Sequence, residues 1–431
     1  MDLLQVFVQQ LTGDVKVYEV PAAMTFGEFK HQLQGSQDCD VEAVRRVTIV
    51  ELILEGQTLS DDKRTFAEEG IISGTTVQLL FSIDWVECET QQEAASKKVL
   101  PEKLKAVTLP GTARQITEKA FKSCGSLVMV SIPDGITDVG AEAFRDCRSL
   151  ASVTLPLSVS RIGHHSFAGC ISLERISMGS VSFIDESAFE NCSSLKDILI
   201  PTNVSCISYN SFSGCSSFAE LKIPDSVTEI GPFAFSQCST LVTLSIPHSV
   251  RQLGDFAFMG CRSLKHVVLP NGATQIGRSS FRGCTSLESV TFPDCMTHIG
   301  EYAFAGCSSL KCVKLPTALK DLGVACFSNS SLESLDVPVG VARIGDYAFA
   351  SCDSLATIGL GSALTEIGAA AFAKCTSLRS VELPRSVQYI GPYAFSGCRE
   401  LRRCDVDGVE DVGGNAFAGC CQLKSDESGD G

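Results

Sequence analysis

A phenylalanine preceded by a small residue recurs at Phe121, Phe144, Phe167, Phe189, Phe212, Phe235, Phe258, Phe281, Phe304, Phe327, Phe349, Phe372, Phe395 and Phe417. The spacing is 23 residues, shortened to 22 three times. A period of this length is one supersecondary unit, too small to bury its own apolar face. Units of this kind stack on their neighbours and share one continuous core, so three-quarters of the chain is constrained to a solenoid. At 431 residues the chain also exceeds the size at which a single core keeps growing.

The unit Leu241–Cys261, LVTLSIPHSVRQLGDFAFMGC, carries each element. Leu241, Leu244 and Ile246 make a short strand, closed by Pro247, which has no N–H for a continuing ladder. Val250 and Leu253 form a second short apolar segment. Gly254 is expected to supply turn dihedrals that other residues resist, and glycine stands there in 11 of the 14 units. Ala257-Phe258 is expected on a tight turn with the ring inward. The consensus L-x-x-V-x-I-P-x-S-V-x-x-I-G-x-x-A-F-x-x-C-x-S over residues 104–424 resembles the BspA-like class of leucine-rich repeats. That resemblance implies an all-β-dominated, right-handed parallel solenoid of 14 coils that binds proteins, with many relatives extracellular.

Residues 1–83 follow a different pattern. Leu4, Val6 and Val8 alternate with polar positions, Leu11-Thr12-Gly13-Asp14 makes a turn, and Val15, Val17 and Val20 alternate again, as in a hairpin with one buried face. A helix is expected from Thr25 with Glu28 as its capping partner, followed by Leu52-Ile53-Leu54, the turn Glu55-Gly56-Gln57 and a last strand Thr76–Phe81. The order ββαββ and the motifs Leu52–Gly56 and Gly74–Leu79 resemble a ubiquitin-like α+β β-grasp domain. The resemblance implies an exposed docking patch at Leu11, Ile53 and Leu80, read by a ubiquitin receptor or a proteasome subunit. The alternative reading is that these three aliphatics merely fill space or face the solenoid. Phe81 runs on into Ser82-Ile83-Asp84-Trp85 without a flexible Gly-Gly tail, so the head reads as a docking module and not as a conjugated tag.

Residues 84–103 read as a linker with a short helix and an N-terminal cap, Trp85 and Val86 covering the first coil. Residues 425–431, SDESGDG, read as a disordered acidic tail.

Thirteen of the 21 cysteines stand three residues after the repeat phenylalanine. A thiol that follows the core period is expected to be a small buried packing group. No C-x2-C pair offers clustered metal ligands, and equivalent rungs give disulfides no unique pairing. With no basic, apolar leader at Met1-Asp2-Leu3-Leu4, the expectation is a cytoplasmic or nuclear protein that is not secreted. His266 and Cys312 share a strand position but lie two coils apart, about 10 Å by strand spacing, beyond hydrogen-bond reach. No phosphate loop, H-E-x-x-H or G-x-S-x-G motif interrupts the repeat, so no enzyme activity and no cofactor are expected.

The formal charge is -15, and residues 1–83 hold 6 Lys/Arg against 13 Asp/Glu. An acidic head and a near-balanced body disfavour nucleic acid and anionic membranes as partners. No apolar run approaches the roughly 18 residues that span a bilayer. Repeat proteins bind through outward strand positions, here Arg175, Glu220, Lys222, Thr243, His266, Lys314, Asp336 and Arg403 among others. The sequence therefore points to a non-enzymatic adaptor, its solenoid binding a protein target and its head docking to a ubiquitin-recognising partner. The competing reading is a structural or adhesive repeat protein whose head is only a folded cap.

Overall fold

The computed structural model describes residues 3–9, 15–21, 48–54, 57–59, 76–82, 85–96, 101–196 and 198–423. Chain packing divides into two units, Met1–Val86 with Lys105–Val107, and Glu87–Leu104 with Thr108–Gly431.

In the first unit the strands β1 (Leu3–Gln9), β2 (Val15–Pro21), β3 (Thr48–Leu54), β4 (Gln57–Leu59) and β5 (Thr76–Ser82) form one sheet in the order β2-β1-β5-β3-β4. β1 is antiparallel to β2 with Leu4 opposite Val20, parallel to β5 with Val8 opposite Val77, and β3 is antiparallel to both β4 and β5. The hairpin expected from alternation is present. The helix expected from Thr25 lies outside the described residues, as does the 425–431 tail.

The second unit opens with the short helix Gln91–Ser96. Thr90 Oγ1 accepts the Glu93 N–H at 3.2 Å, and the Glu93 carboxylate accepts the Glu89 N–H at 2.8 Å, a reciprocal cap. Cys88, Ala94 and Leu104 are buried against the first coil.

From residue 106 onward the chain winds into an all-β solenoid, the fourteen phenylalanines bounding thirteen turns. Each coil has three sides. One carries strands of up to three residues, such as Thr243–Ser245, His266–Val268 and Ser289–Thr291, with an exposed-buried-exposed pattern that sends only the central side chain inward. The second carries two-residue strands, four of them from Gln115–Ile116 to Phe183–Ile184 and ten from Cys206–Ile207 to Asp411–Val412, all parallel. The third is a turn side without strands. There the N–H groups two residues before the repeat phenylalanine, at it and two after it donate to the next coil, as Phe256, Phe258 and Gly260 do to Arg278, Ser280 and Arg282 at 2.7–2.8 Å.

Every coil holds two left-handed residues on this turn side, at the positions two before and two after the phenylalanine. The first of these is non-glycine in all fourteen coils, from Lys119 (φ 57°) to Asn415 (φ 58°). The geometry is imposed by stacking against local preference, since bulky residues resist positive φ. Inside, the phenylalanines form one column of offset stacks, with centroids 5.2–5.9 Å apart over all thirteen steps.

Gly254 has a different role from the one expected. Neither it nor the other ten glycines of the I-G position has positive φ. They are small because the backbone of the preceding coil passes against them: a Cβ on Gly254 would stand 2.5 Å from the Gly231 carbonyl carbon and the Pro232 nitrogen, and one on Gly140 2.6 Å from Ile116 O.

Candidate interaction surface

All eight residues selected on the strand side are exposed, but the structure distributes them over separate sheets. Glu220, Thr243 and His266 fall in one column, which continues to Ser289, and Lys222 stands in the adjacent column beside Ser245. His266 Nδ1 lies 2.9 Å from Ser289 Oγ in the next coil, so the imidazole is engaged between its own coil and that of Cys312. Arg175 pairs in register with Ser152 in a two-stranded sheet, and Asp336 with Gly359 and Arg403 with Ser380 in a third. Lys314 departs from the expectation, because residues 311–316 form no strand. The coil that follows is one residue short, Phe327 to Leu332 against Phe304 to Leu310, yet the Glu333 N–H still donates to the Lys311 carbonyl at 2.9 Å. Of the head residues, Leu11 lies outside the described residues. Ile53 pairs with Gln78, two residues from Leu80 on the same strand, and Leu80 with Glu51.

Twelve of the thirteen ladder cysteines are buried, as their period implied, with Cys420 in the last coil half-buried. Twelve thiols, from Cys147 to Cys420, donate to the carbonyl of the phenylalanine in the preceding coil at 3.1–3.4 Å. The first, Cys124, donates to Gln91 Oε1 of the cap helix at 3.6 Å. Burial pushes the thiols from Cys147 to Cys375 up, Cys352 to about 11, Cys284 to about 12 and most others further, so these carry no nucleophilic thiolate at neutral pH, whereas Cys420 in the last coil is lowered by its contact with Cys398. The described cysteines are free thiols, with Cys206, Cys295, Cys312 and Cys421 exposed. Among the described residues no three His, Cys, Asp or Glu side chains converge as metal ligands, and no helix is long and apolar enough to cross a membrane.

Charge is concentrated on the turn side of the first coils. Glu142 accepts from Lys122 and from Arg145 Nη1 (3.0 Å), with Lys119 at 3.5 Å, and these cations hold its carboxyl down at about 2. Further along, charge gives way to rings: Tyr209 meets Phe233 edge-on at 5.7 Å, and Phe233 stacks on Phe256 at 4.5 Å. Beside them a groove of about 380 Å³ is lined by Glu229, Gln252, Gln275, Pro232, Asp255 and Arg278, its floor formed by the backbone of Gly254 and Gly277. Sequence reasoning concentrated on the strand side and passed over this edge, although Tyr and Arg are the usual interface anchors. The signal was available in the residue immediately before each A-F pair.

Stacked short parallel strands, an inward ladder of phenylalanine and cysteine, and glycine at the close approach between coils together specify one kind of repeat. Residues 101–219, 228–355 and 320–427 match the model of the BspA type leucine rich repeat region, in six copies. The chain belongs to this family. A leucine-rich repeat protein from Bacteroides ovatus superposes with a TM-score of 0.60 at 30% identity, over 74% of this chain and 86% of that one. A leucine-rich repeat protein from Eubacterium ventriosum gives a TM-score of 0.47 at 18% identity, over 81% and 92% of the two chains. A leucine rich cell surface protein from Faecalibacterium prausnitzii gives 0.40 at 24%, over 73% and 83%. No curated protein matches. As a BspA-type repeat protein, the chain has an architecture suited to protein interaction or adhesion.

Proposed function

We propose that this BspA-type protein is a non-enzymatic adaptor of the cytoplasm or nucleus, whose solenoid holds a protein target and whose N-terminal unit docks to a ubiquitin receptor or proteasome subunit. The observation that carries the first half is the uninterrupted repeat. Thirteen stacked turns offer a long ordered surface. The second half is supported by the strand order β2-β1-β5-β3-β4 with its parallel β1–β5 pair, the order of a ubiquitin-like β-grasp. Ile53 and Leu80 on β3 and β5 are the residues on which docking depends.

Surface plasmon resonance of the full chain over an immobilised proteasomal ubiquitin receptor tests the head, with the Ile53→Ala/Leu80→Ala variant as control. Binding lost in the variant is expected; no binding by the natural chain removes the docking half and leaves an adhesive repeat protein with a folded cap. For the solenoid, charge-to-alanine changes at Arg175, Lys222 and Arg403 are expected to weaken target capture, and unchanged capture counts against the strand side.

A further inference from the structure

The rungs of the cysteine ladder cease to be equivalent at the end of the described array. The thirteen repeat phenylalanines from Phe121 to Phe395 are fully buried, whereas Phe417, the last, is only half-buried. Cys420, three residues further on, is also half-buried, and Cys398 in the rung before it is buried. Cys404 in the same last coil is half-buried and Cys421 is exposed. Four thiols therefore fall within the 24 residues 398–421, at an end where the apolar spine meets solvent.

The last two rungs have the spacing and orientation that a disulfide needs. The Phe395 and Phe417 rings are 5.3 Å apart, which measures the step between these coils, and half-cystines have Cα atoms about 4.4–6.8 Å apart. Cys398 Sγ donates to Phe372 O at 3.1 Å and Cys420 Sγ to Phe395 O at 3.1 Å, so both side chains point the same way, one above the other. The contact between them lowers Cys420 and raises Cys398, which divides the pair into an attacking and a resolving thiol. The earlier rungs share the spacing, but burial shields them and pushes their thiols up. Cys404 is a weaker nucleophile than Cys420, since burial pushes it to about 12.

We propose that Cys420 and Cys398 form a peroxide-sensitive dithiol, reversibly oxidised to a disulfide that ties the last coil to the one before it. The Cys420 thiolate attacks one oxygen of hydrogen peroxide, the O–O bond breaks, and hydroxide leaves and is protonated to water, giving a Cys420 sulfenic acid. The Cys398 sulfur then attacks the Cys420 sulfur, the S–S bond forms as S–O breaks, and the Cys398 proton leaves with the hydroxide as a second water. Two thiols and one peroxide give one disulfide and two waters, the sulfurs losing the two electrons that the peroxide gains. Two equivalents of a small thiol reverse the step by exchange and leave as one small disulfide. A transient link of this kind suits a reducing compartment, and it stands independently of the docking reading.

The test exposes the reduced full chain to hydrogen peroxide, blocks the remaining thiols with N-ethylmaleimide and maps tryptic peptides by mass spectrometry. Cys398 lies on the peptide 386–399, and Cys404, Cys420 and Cys421 lie on 404–424. A cross-link between these two peptides is expected, removed by dithiothreitol and formed at least about tenfold faster than any link between the rungs from Cys147 to Cys375. Cys420→Ser and Cys398→Ser are each expected to abolish it, whereas Cys404→Ser and Cys421→Ser leave it in place. Circular dichroism melts of the four variants separate loss of a partner thiol from loss of fold. No cross-link when Cys421 is already oxidised, a cross-link that survives Cys420→Ser, or links between buried rungs at a similar rate overturns the pair.

Discussion

The Cys261 thiol lies 3.3 Å from the carbonyl oxygen of Phe235, one coil earlier, and that oxygen also accepts the Cys238 N–H at 3.3 Å. The thiol therefore links coils as well as filling space. Cys261→Ala is expected to cost about 1–2 kcal/mol from the lost donor and the void. Cys261→Ser keeps a donor and should cost clearly less. Serine occurs naturally at this position once, as Ser330, whose hydroxyl meets the Cys352 sulfur of the next coil at 3.2 Å. Urea unfolding of both variants checks this, and equal losses would leave packing as the only role.

The same ladder makes the solenoid sensitive to alkali. Burial raises the folded thiols above the unfolded value, with Cys284 at about 12. A group whose folded pKa is raised contributes stability that is fully present below the unfolded pKa, about 8.5 for cysteine, and is lost as pH rises from there towards the folded value. Each buried thiol should then cost about 1.4 kcal/mol per pH unit above 8.5. Under reducing conditions the urea midpoint is expected to be level between pH 7 and 8 and to fall steeply by pH 9.5. A flat profile would mean that the thiols are not shielded as described.

Glycine at the I-G position offers a paired test of close approach. Gly254→Ala places a Cβ 2.5 Å from backbone atoms of the preceding coil and is expected to destabilise by about 1–3 kcal/mol. Gly272 has no heavy atom within 4 Å of its Cβ position and no positive φ. Gly272→Ala should therefore stabilise by about 0.4–1 kcal/mol through the unfolded chain. Thermal melts of the two variants that shift in the same direction would contradict the contact geometry.

These glycines mark how far the sequence could be read. Their period was plain, and so were the inward phenylalanines and the cysteine ladder, because burial every 23 residues leaves a direct trace in residue type. The reason for glycine was not legible: a contact with Gly231 and Pro232 exists only once coils are stacked. The left-handed positions at Phe256 and Tyr302 were hidden for the same reason, since rings there argue locally against positive φ and tertiary hydrogen bonds override the preference. On the candidate surface, outward alternation predicted the exposure of Glu220, Thr243 and His266 and their shared column. At Lys314 it predicted exposure but not the missing strand, since residues 311–316 form no ladder.

A second consequence of the repeat's irregularities concerns coupling along the solenoid. Between the coils of Ile184 and Ile207 neither strand side is paired among the described residues: one sheet ends at Phe183–Ile184 and the next begins at Cys206–Ile207, while Arg175–Ser177 and Glu220–Lys222 belong to different sheets. Ser208 occupies the glycine position there, and its hydroxyl, 2.7 Å from Ile184 O, stands where Gly231 N–H bonds Ile207 O at 2.8 Å one coil later. The turn side continues in full, through Ser187, Phe189 and Asn191 donating to Tyr209, Ser211 and Ser213 at 2.7–2.9 Å, with Phe189 stacked on Phe212 at 5.3 Å, while the strand side keeps the Lys196 N–H to Glu174 carbonyl bond at 3.2 Å. In an array held by nearest-neighbour contacts, the weakest interface is where local opening starts. Amides of residues 198–208 are expected to exchange faster than those of 229–254 in native-state hydrogen exchange. Ser208→Gly should let the backbone N–H replace the hydroxyl and slow that exchange. Uniform protection across both segments, or no change in the variant, would show that the turn side alone couples the coils fully.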